Sequence, residues 1–218
     1  MNDAPKLHSI QVGKVVIEGE IGAKTIGQRR WKSAFDKRPV EGVINVQALG
    51  VEGDEVGTPS VHGGVDKAIL CYAQSNYVFW RKECPDLGLD SGGFGENFSI
   101  ASLDETTVCI GDRFRIGDKL LVEVSQPREP CWKIARRWNC EELPKRVGET
   151  GKTGWYVRVQ EPGSVQAGDS IELADRPHPD WPISRINDIL MGRLSDRVAT
   201  IELMNLAVLA DAFKRSIS

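Results

Sequence analysis

Features that would anchor this chain in a bilayer, staple it with disulfides or coat it with positive charge are missing from its 218 residues. No run of 18 apolar residues occurs, so no stretch reads as a membrane-spanning helix. The opening MNDAPKLHSI lacks a basic region followed by an apolar run, and the expectation is a cytoplasmic protein with no membrane partner. Lys and Arg number 28 against 31 Asp and Glu, a formal net charge of -3, so the overall basic excess that drives non-specific nucleic-acid binding is absent. No nucleic-acid partner is expected, and any anion bound here must meet a local basic patch. Cys71, Cys84, Cys109, Cys131 and Cys140 form an odd, scattered set without a C-x-x-C pair. That pattern fits neither a disulfide framework nor a structural zinc site nor an iron–sulfur cluster of the chain's own. Electrons for any redox chemistry must therefore come from outside the chain.

Short β-like runs broken by glycine turns dominate from Lys14 to Leu173, among them GKVVIEGEIG, DKAILCYA and DRFRIGDKLLVEVSQ. This pattern predicts a mainly β chain of α+β type, a barrel or sandwich with short helices. In KLLVEVS, Leu120, Val122 and Val124 alternate with Leu121, Glu123 and Ser125, as in a half-buried strand. The pairs Gly53-Asp54, Gly111-Asp112, Gly117-Asp118 and Gly168-Asp169 offer positive-φ turns. AQSNYVFWRKE fits a short helix, and a second begins at Pro130, placing Cys131, Ile134, Ala135 and Trp138 on one apolar face. After the proline-rich ADRPHPDWPIS the period becomes helical, which divides the chain into a β domain over 1–175 and a helical segment over 183–218 of two or three helices. Such a tail is near the lower size limit for independent folding, so it is expected to pack on the β domain or on a partner.

Several stretches carry chemistry. Cys131, at the strand–helix junction SQPREPC, reads either as a small packing residue or as a thiolate favoured by a helix start and by Arg128 three residues upstream. A thiolate is also a soft metal ligand. Cys71, Cys109 and Cys140 sit in or beside apolar runs and read as packing residues, and Cys84 as an inert residue at a helix end. In VHGGVDKAIL, His62, Gly63 and Gly64 form either a plain turn or a loop whose amides approach an anion. Asp66 and Lys67 read as a surface pair. QRRWKSAFDKRPV gathers Arg29, Arg30, Lys32, Lys37 and Arg38 around one acid, Asp36, as a solvated loop or a phosphate clamp.

Taken in order, KSAFDKRPV, GVEGDEV, VHGGVDKAIL, FGENFSI, SQPREPC and GKTGWYVRVQEPGSVQAGD resemble the MOSC family, named for the C-terminal domain of molybdenum cofactor sulfurases. The tail resembles the three-helix segment of small stand-alone bacterial members. The resemblance implies a MOSC β-barrel that binds the molybdenum cofactor, molybdopterin, with Cys131 as the metal ligand. It implies that Ser33, Lys37, Arg38, His62, Gly63, Asn97 and Arg128 contact the cofactor, with Cys131, Arg128 and His62 at the chemistry. Pyridoxal phosphate is not among the expected cofactors. The activity implied is reduction of small N-hydroxylated substrates such as hydroxylated bases, amidoximes and hydroxylamines. Asp54 or Asp66 would relay protons, and a separate flavin, haem or iron–sulfur protein would supply electrons. A homodimer is compatible with this reading. The alternative is a non-catalytic module carrying the cofactor or activated sulfur.

Overall fold

The computed structural model describes residues 4–217. Its strands are β1 (Lys6–Val12), β2 (Val16–Glu18), β3 (Trp31–Ser33), β4 (Arg38–Val40), β5 (Ile44–Gln47), β6 (Gly50–Val51), β7 (Ile69–Ala73), β8 (Phe98–Ala101), β9 (Arg113–Ile116), β10 (Leu120–Pro127), β11 (Trp155–Glu161), β12 (Gly163–Val165) and β13 (Ile171–Asp175). The helices are α1 (Pro59–His62), α2 (Gln74–Glu83), α3 (Trp132–Trp138), α4 (Leu143–Thr150), α5 (Ile183–Leu190), α6 (Arg197–Asn205) and α7 (Asp211–Ile217).

Eight strands form one sheet in the order β13-β9-β10-β11-β7-β8-β1-β4. All its pairings are antiparallel except β7 with β8, which run parallel because α2 lies between them as a crossover. Three further strands pair as β12-β5-β6, and β2 pairs with β3. The mixed α+β architecture expected from the pattern is therefore present. The expected closed barrel is not found among the described residues. The first half of β1 meets the segment before β13 through the Lys6–Ser170 bridge and three backbone hydrogen bonds between residues 5–7 and 168–171, and the second half pairs with β4 instead, so the curled sheet closes over one short stretch and not along a full ladder.

The turns follow from backbone sterics. Gly53, Gly111, Gly117 and Gly168 all adopt positive φ, between 58° and 96°, where a Cβ would clash with the carbonyl oxygen. β10 departs from its expected half-exposure. Leu120, Val122 and Val124 enter the core, but Glu123 and Ser125 on the opposite face are buried too. Glu123 lies under Arg113 and Arg158, which bond it at 2.9 and 2.8 Å, and the Ser125 hydroxyl donates to the Tyr156 carbonyl at 3.0 Å.

Two cores result. The larger includes Leu7, Phe98, Val122, Val124 and Trp155 from the sheet, together with Ile183, Ile186, Leu203 and Phe213 from α5, α6 and α7 and Leu209 from the connection between α6 and α7. The C-terminal helices thus share the sheet's own core, as the shortness of the tail led one to expect. The second core joins Trp31, Phe35, Tyr72, Tyr77, Trp80, Phe94, Ile134 and Val147, and it sets α2, α3 and α4 beside the loop that precedes β8.

Candidate functional site

One large cavity opens between these two cores, with about 830 Å³ of space counted out to its mouth. Four loops build it: the residues after β3, the stretch from β6 through α1, the turn before β8, and the junction of β10 with α3. Each brings polar groups to a wall otherwise made of Ala34, Phe35, Leu49, Val51, Val56, Leu70 and Phe94.

At the β10–α3 junction, Pro127 ends the strand and Cys131 is the residue before α3, in extended conformation at φ -127° and ψ 164°. The helix starts at Trp132 and not at Pro130. Ile134 and Ala135 are buried as expected, whereas Cys131 is half-buried and lines the cavity. Arg128 lines it too and is only 3% exposed. Its Nη2 donates to the Phe94 carbonyl at 3.3 Å, and its Nη1 has no partner. No carboxylate pairs with this guanidinium among the described residues. Lys133, 8% exposed, also lines the cavity and makes no hydrogen bond or ion pair. Burial holds its amine below the ordinary lysine range, and the neighbouring Cys131 opposes that shift. His62 ends α1 at the same wall. Burial, and then the charges of Lys133, Lys67 and Arg128, lower its pKa to about 4, so the imidazole is neutral at neutral pH. Lys67 donates to the Val61 carbonyl at 2.8 Å and lies 5.7 Å over the ring of Tyr156, whose hydroxyl burial raises to about 12.

The far wall is different in kind. Lys37 Nζ donates to Asp54, which also takes the Gly13 amide at 2.7 Å and the Asn97 amide nitrogen at 2.9 Å. Burial lowers the Lys37 pKa, and Asp54 works in the opposite direction. This wall is charge-balanced, while at the wall carrying Cys131 the cations Arg128 and Lys133 are buried without an ion-pair partner among the described residues and the acid there, Glu129, is exposed. Asn97 also accepts from the Leu70 amide at 3.3 Å, which ties the turn before β8 to the edge of β7. Next to it, the buried Glu96 gathers the amides of Gly92 and Phe94, at 2.7 and 3.2 Å, with the hydroxyls of Tyr77 and Ser99. Glu96 thereby fixes Phe94, whose carbonyl holds Arg128.

The sequence profile of the MOSC domain matches residues 58–172, more than half of the chain. The chain belongs to the MOSC domain family. Protein YiiM of Escherichia coli (strain K12) is 38% identical over 163 residues, covering 74% of this chain and 71% of that protein. YflK, an uncharacterized protein of Bacillus subtilis (strain 168), is 36% identical over 188 residues, or 86% and 84% of the two chains. A protein named as a reductase in Gibberella moniliformis is 38% identical over 164 residues, but this chain spans only 29% of its length. Among solved structures, YiiM from Geobacillus stearothermophilus superposes with a TM-score of 0.79 at 31% identity, over 98% of this chain and 97% of that one.

Within this MOSC protein, the cavity brings together Ser33, Lys37, His62, Asn97, Arg128 and Cys131 from four separate stretches of sequence. It does not bring Arg38 or Gly63 to its wall. The Arg38 side chain is 74% exposed and bonds Asp36 at 3.0 Å, because in β4 successive side chains alternate and Lys37 already points inward. Lys37 and Arg38 therefore do not close into one phosphate clamp. Asp66 and Lys67 are not a pair either, since Asp66 binds Arg158 at 2.8 Å. Lys133 and Tyr156 are wall residues that motif reading missed. Only their spacing carried a signal, Lys133 two positions after Cys131 and Tyr156 inside the strand that pairs with β10.

Proposed function

We propose that this cavity binds an anionic, sulfur-ligated metal cofactor of the molybdopterin type, and that the protein reduces N-hydroxylated compounds there. The observation that carries the reading is Arg128, a guanidinium 3% exposed, lining the cavity three residues from Cys131, with an unsatisfied Nη1. A buried donor without an acceptor costs about 1–3 kcal/mol, and more when it is charged, so a fold that keeps one has a missing acceptor as the economical explanation. Lys133 beside it, also buried and without an ion-pair partner, asks for the same anion. The donor set suits the cofactor: a cysteine sulfur for a soft metal and two cations for phosphate or other anionic oxygens. The membership in the MOSC family and the reductase named in Gibberella moniliformis point in the same direction.

In this reading Cys131 ligates the metal, and Arg128 with Lys133 holds the anionic parts of the cofactor. When bound, the cofactor would supply the two-electron chemistry needed to reduce an N–O bond. The net reaction is R–NH–OH + 2 H⁺ + 2 e⁻ giving R–NH₂ + H₂O, with the electrons delivered by a separate redox protein. The residues of the chain orient the substrate and handle its protons. Phe35, Leu49 and Val56 face a flat, weakly polar substrate. His62, neutral at pH 7, donates or accepts a hydrogen bond without adding charge. Lys37 and Asp54 keep a proton at the opposite wall, and Asn97 holds the Asp54 carboxylate in place.

Protein purified from cells that make molybdenum cofactor should contain close to one molybdenum per chain and should reduce an N-hydroxylated purine with a reduced viologen dye. Cys131→Ala should lose both properties and Cys140→Ala neither. Molybdenum-free wild-type protein would overturn the reading. Molybdenum-loaded protein inert toward every N-hydroxylated base, amidoxime and hydroxylamine tested would replace the reductase with a cofactor carrier.

A further inference from the structure

We infer, resting on the reductase reading above, that electrons enter across a basic surface centred on Trp132, and that this surface docks an acidic electron-transfer protein. The face is built where the short 3₁₀ turn Ile26–Gln28 and the chain after it lie along α3. The Gly27 amide donates to Asn139 Oδ1 at 3.0 Å, and Arg136 Nε donates to the Arg29 carbonyl at 2.6 Å. Three guanidinium groups then lie on three indoles: Arg29 over Trp132 at 5.1 Å, Arg136 over Trp31 at 4.9 Å, and Arg137 over Trp138 at 4.7 Å. Arg30 and Lys32 are exposed in the same stretch, and Arg38 joins Arg137 through their shared partner Asp36.

Charge and position distinguish this face. The chain as a whole has more acids than bases, yet Arg29, Arg30, Lys32, Arg38, Arg136 and Arg137 gather here against Glu18, Glu20, Asp36 and the exposed Glu129, with Asp36 already shared between two arginines. Trp132 at its centre is 39% exposed, unusual for so large an apolar ring, and its backbone is joined directly to Cys131 in the cavity wall. Lys32 likewise precedes Ser33, which lines the cavity. A surface indole one peptide bond from the cavity thiol, ringed by cations, offers a short path inward and an electrostatic guide for a negatively charged partner. Redox encounters commonly use small, weak interfaces steered by charge, and a patch of this kind suits one. Nucleic acid is the less fitting occupant, because Glu18 and Glu20 sit within the face and the net charge of -3 repels a phosphate backbone.

The test uses the full chain, isotope-labelled for nuclear magnetic resonance, with flavodoxin as an acidic flavoprotein probe. At low salt, added flavodoxin should shift the Trp132 indole signal and the amides of Arg29 to Lys32. These shifts should vanish near about 0.3 M salt, where screening reaches only a few ångströms. The double variant Arg30→Glu/Lys32→Glu should lower the rate of flavodoxin-driven turnover about tenfold while the dye-driven rate stays unchanged, because rim charges act chiefly on association. Shifts confined to another face, no shifts at all, or a flavodoxin-driven rate untouched by the double variant would overturn the docking surface. So would a single-stranded oligonucleotide that shifts the same signals more strongly at equal salt. Wild-type protein inert with the dye would overturn the reductase reading instead, and the shift map would still decide whether an acidic protein docks here.

Discussion

Arg128 shows how one side chain ties structure to chemistry. Its guanidinium sits in the wall with an unsatisfied Nη1, so the protein holds a charge that only a ligand would satisfy. Arg128→Met should therefore leave the cofactor-free protein at least as stable as wild type, with a gain of about 1 kcal/mol, or a melting-temperature rise of roughly 2–4 °C for a chain of this size. The same variant should lose most bound molybdenum, and calorimetry with metal analysis checks both outcomes. His62 makes a second prediction, in pH. Its folded pKa is lowered to about 4, while an unfolded imidazole titrates near 6.5, so between these values the unfolded chain binds the extra proton. His62 thus contributes stability that is fully present above about pH 6.5 and is lost as the pH falls toward 4. Denaturant melts of His62→Gln should show less acid loss over that window than wild type. Cys131, Arg128, His62, Asn97 and Lys37, which line one cavity, could be picked out in the sequence because they stand in short motifs. The balance of charge around them was not, because the partner of Lys37, Asp54, lies 17 positions away and meets it only in the folded chain.

At the scale of elements, β10 carries the most. Its periodicity predicted a strand with one wet face, and the strand is there, but Arg113 and Arg158 cover Glu123 from neighbouring strands. Removing a carboxylate at this depth loses two charge-assisted bonds, although Arg158 keeps its bond to Asp66 and Arg113 is half exposed. Glu123→Ala should destabilise by about 2 kcal/mol, whereas Glu161→Ala, an exposed partner of Arg115, should cost less than about 1 kcal/mol. Urea titrations of the two variants separate these values. The turn before β8 works in the same manner. Glu96 there satisfies two amides and two hydroxyls, and Glu96→Gln keeps the shape while it exchanges one acceptor oxygen for an NH₂ donor, so that at the least the bond from the Phe94 amide to Oε2 is lost. FGENFSI was legible as part of the family motif, with Asn97 in it, but nothing local announces that Glu96 faces inward.

For the molecule as a whole, the decisive fact is that α5, α6 and α7 complete the sheet's core. Ile110 donates its amide to Trp181, Ile183 donates to Val108, and Ala210 donates to Ser125, so the tail is stitched to the sheet at three places. Phe213 is 1% exposed in the same core. Phe213→Ala should cost about 3–5 kcal/mol, and a chain cut after Asp175 should expose that apolar surface and fail to give a cooperative melt. A truncated chain that melts cooperatively, seen by circular dichroism, would show the β portion to be self-sufficient. The period change after the proline-rich connection marked the helices well. Where they dock was not readable, because an apolar helical stripe states that it needs a surface and not which one.

Local pattern and motif were enough to establish the mainly β character, the glycine turns, the three terminal helices and the family, because backbone sterics and side-chain period act over a few residues. They also marked Cys131 and its neighbours. The short, partial closure of the sheet, the coverage of Glu123, the exclusion of Arg38 from the cavity and the pairing of Lys37 with Asp54 were decided by the tertiary structure alone. Each depends on which distant strand or loop lies alongside, and the electrostatics of a site are set by that packing: a charge counts differently when its neighbour from another part of the chain is a carboxylate, a carbonyl or nothing.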